Sequence, residues 1–188
     1  MDKKRLFVAI DLPDEVRSKL QDLQRALKPF ARDAKWVNPA GIHLTIKFLG
    51  ATDVDKIPAL DESLNLIAKA HQPLAIHLMG CGFFPNLRRP NVLWAGVIAP
   101  DLAMLQQSIE HETARLGFEK ENRPFTPHLT LARFKNNKGL LPPAKETEKY
   151  AGVELASFVA NRFVLFDSIL HRQGAEYHKL GIFHLAVP

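Results

Sequence analysis

Apolar positions along the chain fall into two alternating patterns. Short runs rich in β-branched and aromatic residues, typical of strands, alternate with longer runs whose apolar residues recur every three or four positions, typical of amphipathic helices. In the first half the strand-like runs are RLFVAID, AKWV, IHLTIKFLG and PLAIHLMG. The two predicted helices between them carry apolar stripes at Val16, Leu20, Leu23 and Leu27, and at Ile57, Leu60, Leu64 and Ile67.

The second half repeats this order. NVLWAGVI predicts a strand, the next helix has its apolar stripe at Leu102, Leu105, Ile109 and Leu116, and HLTLARF predicts another strand. NRFVLFDSIL and AEYHKLGIFHLAV indicate a closing hairpin around residues 172–174. Because each half runs strand, helix, strand, the pattern favours an α+β fold built from a duplicated unit. We expect one domain over residues 1–188 with two pseudo-symmetric lobes, roughly 1–90 and 91–188.

The sequence His-Leu-Thr-aliphatic occurs once in each half, 85 positions apart (128 − 43). Since alternate side chains of a strand share a face, each copy separates a polar face from an apolar one. In the first copy His43, Thr45 and Lys47 lie on one predicted face, with Ile42, Leu44, Ile46 and Phe48 on the other. In the second copy His128 and Thr130 lie opposite Leu129 and Leu131.

Two such strands, related by a pseudo-twofold, would place two imidazoles and two hydroxyls around one cleft. Phosphodiester chemistry needs one group that removes a proton from the attacking oxygen and one that protonates the departing oxygen, and histidine can do either near neutral pH. A third match, at residues 111–113, falls inside a helical pattern and is taken as chance. The alternative is a pair of half-buried strands whose His and Thr side chains simply satisfy each other.

Composition adds few constraints. The formal charge of +5 is compatible with a polyanionic partner, but many soluble proteins are mildly basic. Cys81 is the only cysteine, which excludes an internal disulfide. We find no signal peptide and no apolar run long enough to span a membrane, so we expect a cytoplasmic protein.

Motifs for other chemistries are absent from the sequence. There is no His-Glu-x-x-His or Cys/His cluster for zinc, no phosphate-binding P-loop, no Gly-x-Gly-x-x-Gly and no Gly-x-Ser-x-Gly. Cys81 lies between two glycines and is interpreted as a small apolar residue rather than a nucleophile. We therefore expect neither a metal nor an organic cofactor.

The chain resembles the 2H phosphoesterase superfamily, and within it the bacterial RNA 2′,3′-cyclic phosphodiesterases (2′-5′ RNA ligase, LigT-like). The likeness extends over nearly the whole chain: RLFVAIDLP, HLTIKFLG, NRPFTPHLTLARF, FVLFDSIL and YHKLGIFHL. It implies a bilobal fold of two antiparallel sheets with helices packed outside, enclosing a V-shaped cleft. It also implies hydrolysis of a terminal 2′,3′-cyclic phosphate on RNA to a 2′-phosphate, without metal or nucleotide.

By this resemblance the catalytic histidines are His43 and His128, and Thr45, Thr130 and Arg133 bind the phosphate. As a hypothesis, His128 activates water while His43 protonates the departing O3′, although the near symmetry of the two motifs leaves that order open. Arg133 stands five positions after His128, which is the wrong parity for the same face. It reaches the cleft only if the strand bends, bulges or ends before it.

Two further sets of residues are candidates for RNA contacts beyond the phosphate. The aromatic candidates for base stacking are Phe7, Trp36, Phe48, Phe84, Trp94 and Phe125, although Phe48 has the apolar parity of its strand and is predicted to be buried. The loop Asn136–Lys149, with Lys135, Lys138 and Lys145, either borders the cleft or is a solvated excursion.

Several functions share these residues. The leading prediction is a metal-independent RNA 2′,3′-cyclic phosphodiesterase acting on RNA ends or on a small cyclic nucleotide. Ligation is the reverse reaction, in which an RNA 5′-hydroxyl attacks the cyclic phosphate. A non-catalytic module that binds RNA ends is a different class, but binding alone would not require two titratable groups. We expect a monomer, since enclosing a cleft between two lobes needs no partner.

Overall fold

Two antiparallel sheets and four α-helices make up the computed structural model of the chain, which describes residues 2–31, 34–134, 144–171 and 174–186. The strands are β1 (Lys3–Asp11), β2 (Ala34–Trp36), β3 (His43–Asp53), β4 (Leu74–Phe84), β5 (Val92–Ile98), β6 (His128–Phe134), β7 (Glu154–Ala160), β8 (Arg162–His171) and β9 (Gly174–His184). The helices are α1 (Asp14–Leu27), α2 (Ile57–Lys69), α3 (Leu102–Arg115) and the short α4 (Ala144–Glu148).

Each sheet takes strands from both halves of the chain. The first sheet has the order β3-β1-β8-β9 and the second the order β2-β6-β5-β4-β7. The predicted α+β class with two antiparallel sheets is confirmed, as is the closing hairpin, formed by β8 and β9. The lobe boundary predicted near residue 90 does not separate the two sheets, because β2 and β4 lie in the second sheet while β8 and β9 lie in the first.

The duplicated unit is visible in the pairing. β1, α1 and β3 in the first half correspond to β5, α3 and β6 in the second, and in both cases the two strands pair antiparallel. A later strand of each half then crosses to the other sheet: β4 pairs with β5, and β8 pairs with β1. The exchange joins the two halves through backbone hydrogen bonds as well as through a shared core.

One continuous hydrophobic core joins the helices to one face of both sheets. Most residues of the helical stripes predicted from the sequence are buried there, including Leu20 on α1, Leu64 on α2 and Leu105 on α3, each 0% exposed. Ile57 and Leu116 are only partly buried and pack against this core. Burial of these stripes against the apolar residues of the strands stabilises the fold. The opposite face of the first sheet carries a separate small cluster, Phe7, Ala9, Val164 and Phe166, with Tyr177 packed against it.

The two motif strands contain the same β-bulge. In β3 the register with β1 shifts between Thr45 and Lys47, and in β6 the register with β5 shifts between Thr130 and Ala132. Two consecutive residues therefore point into the core in each strand, Ile46 and Lys47 in β3 and Leu131 and Ala132 in β6. Beyond a bulge, the alternation of faces along a strand is reversed.

The bulge in β3 makes two sequence predictions wrong. Lys47, predicted to share the face of His43, is buried on the core side, and Phe48, predicted to be buried, is 63% exposed. Phe48 pairs with Phe7, whose side chain lies on the same face as Ala9, the partner of Thr45. Phe48 therefore shares the face of His43 and Thr45.

Lys47 is held in the core by a specific acceptor set. Its Nζ donates to Glu110 Oε1 at 2.7 Å and to the carbonyl oxygen of Glu119 at 2.8 Å. Glu110 Oε1 also accepts the backbone N–H of Glu121 at 3.0 Å. Because a buried ammonium is costly unless it is paired and hydrogen-bonded, this contact fixes β3 against α3.

We expect Glu110→Ala to lower the free energy of unfolding by about 3 kcal/mol, because it leaves the Lys47 charge buried without its carboxylate. Lys47→Met combined with Glu110→Leu should restore most of this loss, since an apolar pair of similar volume removes both charges. The measurement is urea unfolding at pH 7. The control is Glu112→Ala on the exposed side of α3, whose ion pair with Arg115 should be worth less than about 1 kcal/mol. Equal losses for the two alanine variants would contradict the role assigned to Glu110.

Candidate active site

His43 is oriented by a backbone carbonyl. It is the first residue of β3, and its Nδ1 lies 2.8 Å from the carbonyl oxygen of Gly41. Because a carbonyl only accepts, Nδ1 carries the proton and donates it. In the neutral ring Nε2 is then the unprotonated nitrogen, with its lone pair available to accept a proton.

The segment before His43 is held by Arg17 of α1. Its guanidinium donates to the carbonyl oxygens of Pro39, Ala40 and Ile42 at 3.0, 2.8 and 3.0 Å, and its Nε donates to that of Leu12 at 3.1 Å. Four bonds from one charged group fix the turn that contains the Gly41 carbonyl. Helix α1 thereby positions the imidazole through the backbone.

His128 has the same arrangement in the second motif. It begins β6, and its Nδ1 donates to the carbonyl oxygen of Thr126 at 2.8 Å, again two residues upstream. The ring contacts Phe84 edge-on at 4.9 Å, and Phe84 lies 5.2 Å from Trp94. The Trp94 indole lies so close to β4 that a Cβ at Gly82 would come within 2.5 Å of it.

Aromatic rings enclose His43 more closely than the sequence suggested. Its ring lies 4.7 Å from Phe7, 6.1 Å from Phe166 and 4.9 Å from Tyr177, the last edge-on. Phe166 and Tyr177 were not among the aromatic candidates, because they belong to β8 and β9. These strands come close to β3 only because β8 pairs with β1, which joins the two ends of the chain. Two of the candidates, Trp36 and Phe125, instead pack against the main core.

The enclosure of His43 affects its protonation. Burial lowers the pKa of His43 from its usual 6.5 to about 4, against the opposing effect of the hydrogen bond to Gly41. The positive charges of Arg17 and Arg133 lower the pKa of His43 further. The imidazole is therefore neutral near pH 7 in the free protein.

Arg133 returns to the face of the second motif because of the bulge in β6. It pairs with Val92, as Thr130 pairs with Trp94, and the two partners are alternate residues of β5. A bulge in β6 therefore explains how Arg133 reaches the face of His128 although it stands an odd number of residues after it. From this position the charge of Arg133 lowers the pKa of His43 on the other motif strand. Within the described ranges, the side chain of Arg133 makes no ion pair or hydrogen bond with another protein group, and the half-buried side-chain hydroxyls of Thr45 and Thr130 have no hydrogen-bond partner.

A second charged cluster beside His43 was not predicted. Asp11, which pairs with His43 across the strands, accepts from Lys179 Nζ at 2.6 Å and from Arg162 at 3.3 Å. Burial opposes ionisation of Asp11, but the hydrogen bonds and charges of Lys179 and Arg162 outweigh it and lower the pKa of the carboxyl. In the sequence, Arg162 and Lys179 lie on the two strands of one predicted hairpin. This placement identifies them as neighbours of Asp11 only when the pairing of β8 with β1 is known.

Three further observations concern a metal site, a cysteine nucleophile and a membrane-spanning helix. Among the described residues, no three His, Cys, Asp or Glu side chains form a group that could hold a metal ion. Burial raises the pKa of the Cys81 thiol to about 11, which disfavours the thiolate that a nucleophile requires. None of the helices in the described ranges is long and apolar enough to cross a membrane. Lys135 and Lys138 of the predicted basic loop lie outside the described residues.

We expect NMR to show the His43 imidazole neutral at pH 5.5 with its proton on Nδ1, because burial disfavours the imidazolium. Long-range ¹H–¹⁵N spectra report both the tautomer and the titration. For His128 the hydrogen bond to Thr126 predicts the same Nδ1–H tautomer in the neutral ring. A His43 resonance that titrates near 6.5 would contradict the burial that the structure shows.

The same pKa shift predicts a pH dependence of stability. In the unfolded chain His43 takes up a proton near pH 6.5, whereas in the folded chain it does so only near pH 4. Between these values the unfolded state binds more protons, so stability falls as the pH is lowered through this window. The loss should amount to about 2–3 kcal/mol at pH 4, and urea unfolding of His43→Gln should lack this component.

The chain is similar to known proteins over nearly its whole length. The family model described as LigT like Phosphoesterase matches residues 10–94 and 96–177. The RNA 2′,3′-cyclic phosphodiesterase of Methanocaldococcus jannaschii is 36% identical over 175 residues, covering 92% of this chain and 96% of that protein. A crystal structure of a Thermus thermophilus protein has a TM-score of 0.81 and 31% identity, covering 96% of this chain and 97% of the other.

The crystal structure of Escherichia coli LigT complexed with 3′-AMP is also similar. Its TM-score is 0.81 at 28% identity, and the match covers 98% of this chain and 99% of that one. Both motif strands fall inside the residues matched by the family model, and similarity extends over nearly the full length in each comparison. The chain therefore belongs to the LigT-like phosphoesterase family.

Proposed function

We propose that this protein hydrolyses a terminal 2′,3′-cyclic phosphate on RNA to a 2′-phosphate, using two histidines and no metal ion. The observation that carries the proposal is the matched orientation of His43 and His128. Each donates from Nδ1 to the carbonyl oxygen two residues upstream, which leaves Nε2 as the acid–base atom. Several relatives are named RNA 2′,3′-cyclic phosphodiesterase. Hydrolysis of a cyclic phosphate by water can use one group that takes up a proton and one that donates a proton, and two imidazoles suit these roles.

The surroundings of the two rings favour one order of roles. In an in-line displacement the attacking and departing oxygens lie on opposite sides of phosphorus, and the departing O3′ remains attached to the ribose. The aromatic rings beside His43 suit the ribose and base, whereas the more open His128 suits a water that enters from solvent. His128 Nε2 accepts a proton from water as its oxygen bonds phosphorus, and His43 Nε2–H protonates O3′ as the P–O3′ bond breaks.

The low pKa of His43 is compatible with the acid role. Burial keeps the ring neutral in the free protein, so His43 takes up a proton from solvent when the substrate binds, because the phosphate anion stabilises the imidazolium. Once protonated, an imidazolium of low pKa is a strong proton donor to an alkoxide leaving group. Burial thereby couples protonation of His43 to occupation of the site.

The remaining site residues suit the non-bridging phosphate oxygens. The hydroxyls of Thr45 and Thr130 lie on the same faces as the two histidines, and Arg133 supplies a positive charge that no described carboxylate neutralises. Charge that develops on these oxygens in the transition state is stabilised by such donors. All five residues belong to one chain, so a monomer suffices, and RNA ends or small cyclic nucleotides are the substrates we propose.

The first test is turnover in EDTA of an RNA oligomer that ends in a 2′,3′-cyclic phosphate. We expect the unsubstituted protein to make a 2′-phosphate, and His43→Ala and His128→Ala to be slower by about 10²- to 10⁴-fold, since each removes an acid–base group. His171→Ala, which removes an exposed histidine of the β8–β9 hairpin, is the matched control and should retain full activity. RNA binding without turnover would favour a binding module, and activity that EDTA abolishes would refute the metal-free mechanism.

Arg133 is tested by Arg133→Gln. Losing a charge-assisted contact to phosphate should raise KM by about 10- to 100-fold. Because the guanidinium also lowers the pKa of His43, the same variant should shift the NMR titration of His43 upward. Arg133→Lys keeps the charge and should keep most of that effect on the pKa. An unchanged KM in Arg133→Gln would remove Arg133 from the phosphate site.

A further inference from the structure

Three charged side chains meet on the face of the first sheet that carries His43. Asp11 Oδ2 accepts from Lys179 Nζ at 2.6 Å and from Arg162 at 3.3 Å, so two cations share one carboxylate oxygen. We call Asp11, Arg162 and Lys179 the cation cluster. Its formal charge is +1, because one carboxylate neutralises only one of the two cations.

Both cations of the cluster keep donors in contact with solvent. The side chains of Arg162 and Lys179 are 41% and 44% exposed, whereas that of Asp11 is only 10% exposed. Among the residues that the structure describes, neither cationic side chain has a second acceptor. Arg162 also borders a cavity of about 300 Å³ lined by residues 10–13 and 158–162, so its guanidinium is not covered by protein. Asp11 therefore holds both cations from the protein side and leaves their other N–H groups for a ligand.

The cation cluster lies beside His43. Asp11 is the residue of β1 that pairs with His43 on β3. Lys179 pairs with Phe166 on β8, and the Phe166 ring lies 6.1 Å from the His43 ring. The cluster therefore adds a positive group on the His43 side of the site, besides Arg133 on the second motif strand.

An ion pair that only joined the strands of this sheet would not require two cations. The pair between Lys4 and Asp167 joins β1 to β8 with one cation and one carboxylate, at 2.6 Å. It lies on the opposite face, because Asp167 pairs with Leu6 of the main core. The second cation at Asp11 adds a charge that no carboxylate among the described residues neutralises. Two partly exposed cations held at one point suit a phosphate group, which accepts charge-assisted hydrogen bonds from both.

We propose that Arg162 and Lys179 bind the phosphodiester on the 5′ side of the nucleotide that bears the cyclic phosphate. The inference rests on the proposed function. In the order of roles given above, the departing O3′ and its ribose lie at His43, and the 5′ carbon of that ribose carries the next phosphate of the RNA. A positive group beside His43 is therefore placed for this phosphate, as Arg133 is for the cyclic one. The site thus binds two phosphates one nucleotide apart and favours an oligonucleotide over a cyclic mononucleotide.

The test compares two dinucleotides that end in a 2′,3′-cyclic phosphate. One has a normal phosphodiester between its nucleosides, and the other has an uncharged methylphosphonate at that link. For the unsubstituted protein the methylphosphonate should raise KM by about 5- to 30-fold, since it loses the charge that two partly exposed cations contact. In the double variant Arg162→Gln with Lys179→Gln, the two substrates should have equal KM values. In that variant log KM for the normal dinucleotide should also depend less steeply on log salt concentration, by about 0.7, because one phosphate contact is lost.

The readout is the ratio of the two KM values within one protein, because the double variant also leaves Asp11 unpaired beside His43. Any effect of that change on catalysis applies to both substrates and cancels in the ratio. Adding Asp11→Asn removes the unpaired carboxylate and should leave the two KM values equal. Lys4→Gln is the matched control, since it removes a lysine that is ion-paired at the same distance on the opposite face of the sheet, and it should keep the ratio of the unsubstituted protein.

Three results would overturn the proposal while leaving the proposed function intact. They are equal KM values in the unsubstituted protein, a ratio that the double variant does not change, and a ratio that Lys4→Gln lowers as far as the double variant does. If the unsubstituted protein turns over neither dinucleotide, the proposed function fails instead. The phosphodiester contact is then measured by calorimetry with the two dinucleotides ending in a 2′-phosphate, where only the one with the normal link should lose affinity in the double variant.

Discussion

The site depends on one backbone irregularity that occurs twice. A one-residue bulge in β3 and in β6 allows each motif strand to present a histidine and a threonine on one face and then to bury two consecutive residues. The side chain five residues after the histidine returns to the first face. In a regular strand Phe48 and Arg133 would point into the core, and Lys47 would point away from its acceptors. The faces of the functional side chains thus follow from backbone register, before any contact between them is considered.

Hydrogen bonds to the backbone determine which nitrogen of each imidazole carries the proton. The carbonyls of Gly41 and Thr126 each hold one ring nitrogen as a donor, so both rings present Nε2 in the same way. The environments then differ. His43 is enclosed by aromatic rings from three strands, whereas His128 is flanked by Phe84 and is more open. The two motifs are alike in orientation and unlike in solvation, which is what separate acid and base roles require.

Much of the site could be predicted from the sequence because the faces of its residues follow from short stretches of the chain. The period of two places His43 with Thr45 and His128 with Thr130 before either bulge begins, and the helical stripes follow from their own spacing. Lys47 and Phe48 were misplaced because a bulge is stabilised by the partner strand, and HLTIKF contains no glycine to mark it. Comparing the two motifs gives the missing hint, since Arg133, expected in the cleft, stands at the position equivalent to Phe48.

The exchange of strands between sheets could not be predicted, because it depends on contacts between residues far apart in sequence. β4 completes the sheet of β5 and β6, and β8 completes the sheet of β1 and β3. A half-length chain with one motif would lack the strand that pairs at the edge of its own sheet. Two copies could each supply this strand to the other. The architecture is therefore that of a strand-swapped homodimer joined into one polypeptide. In such a dimer the two motif positions would be identical, and only after fusion could one copy keep a ring where the other has a guanidinium.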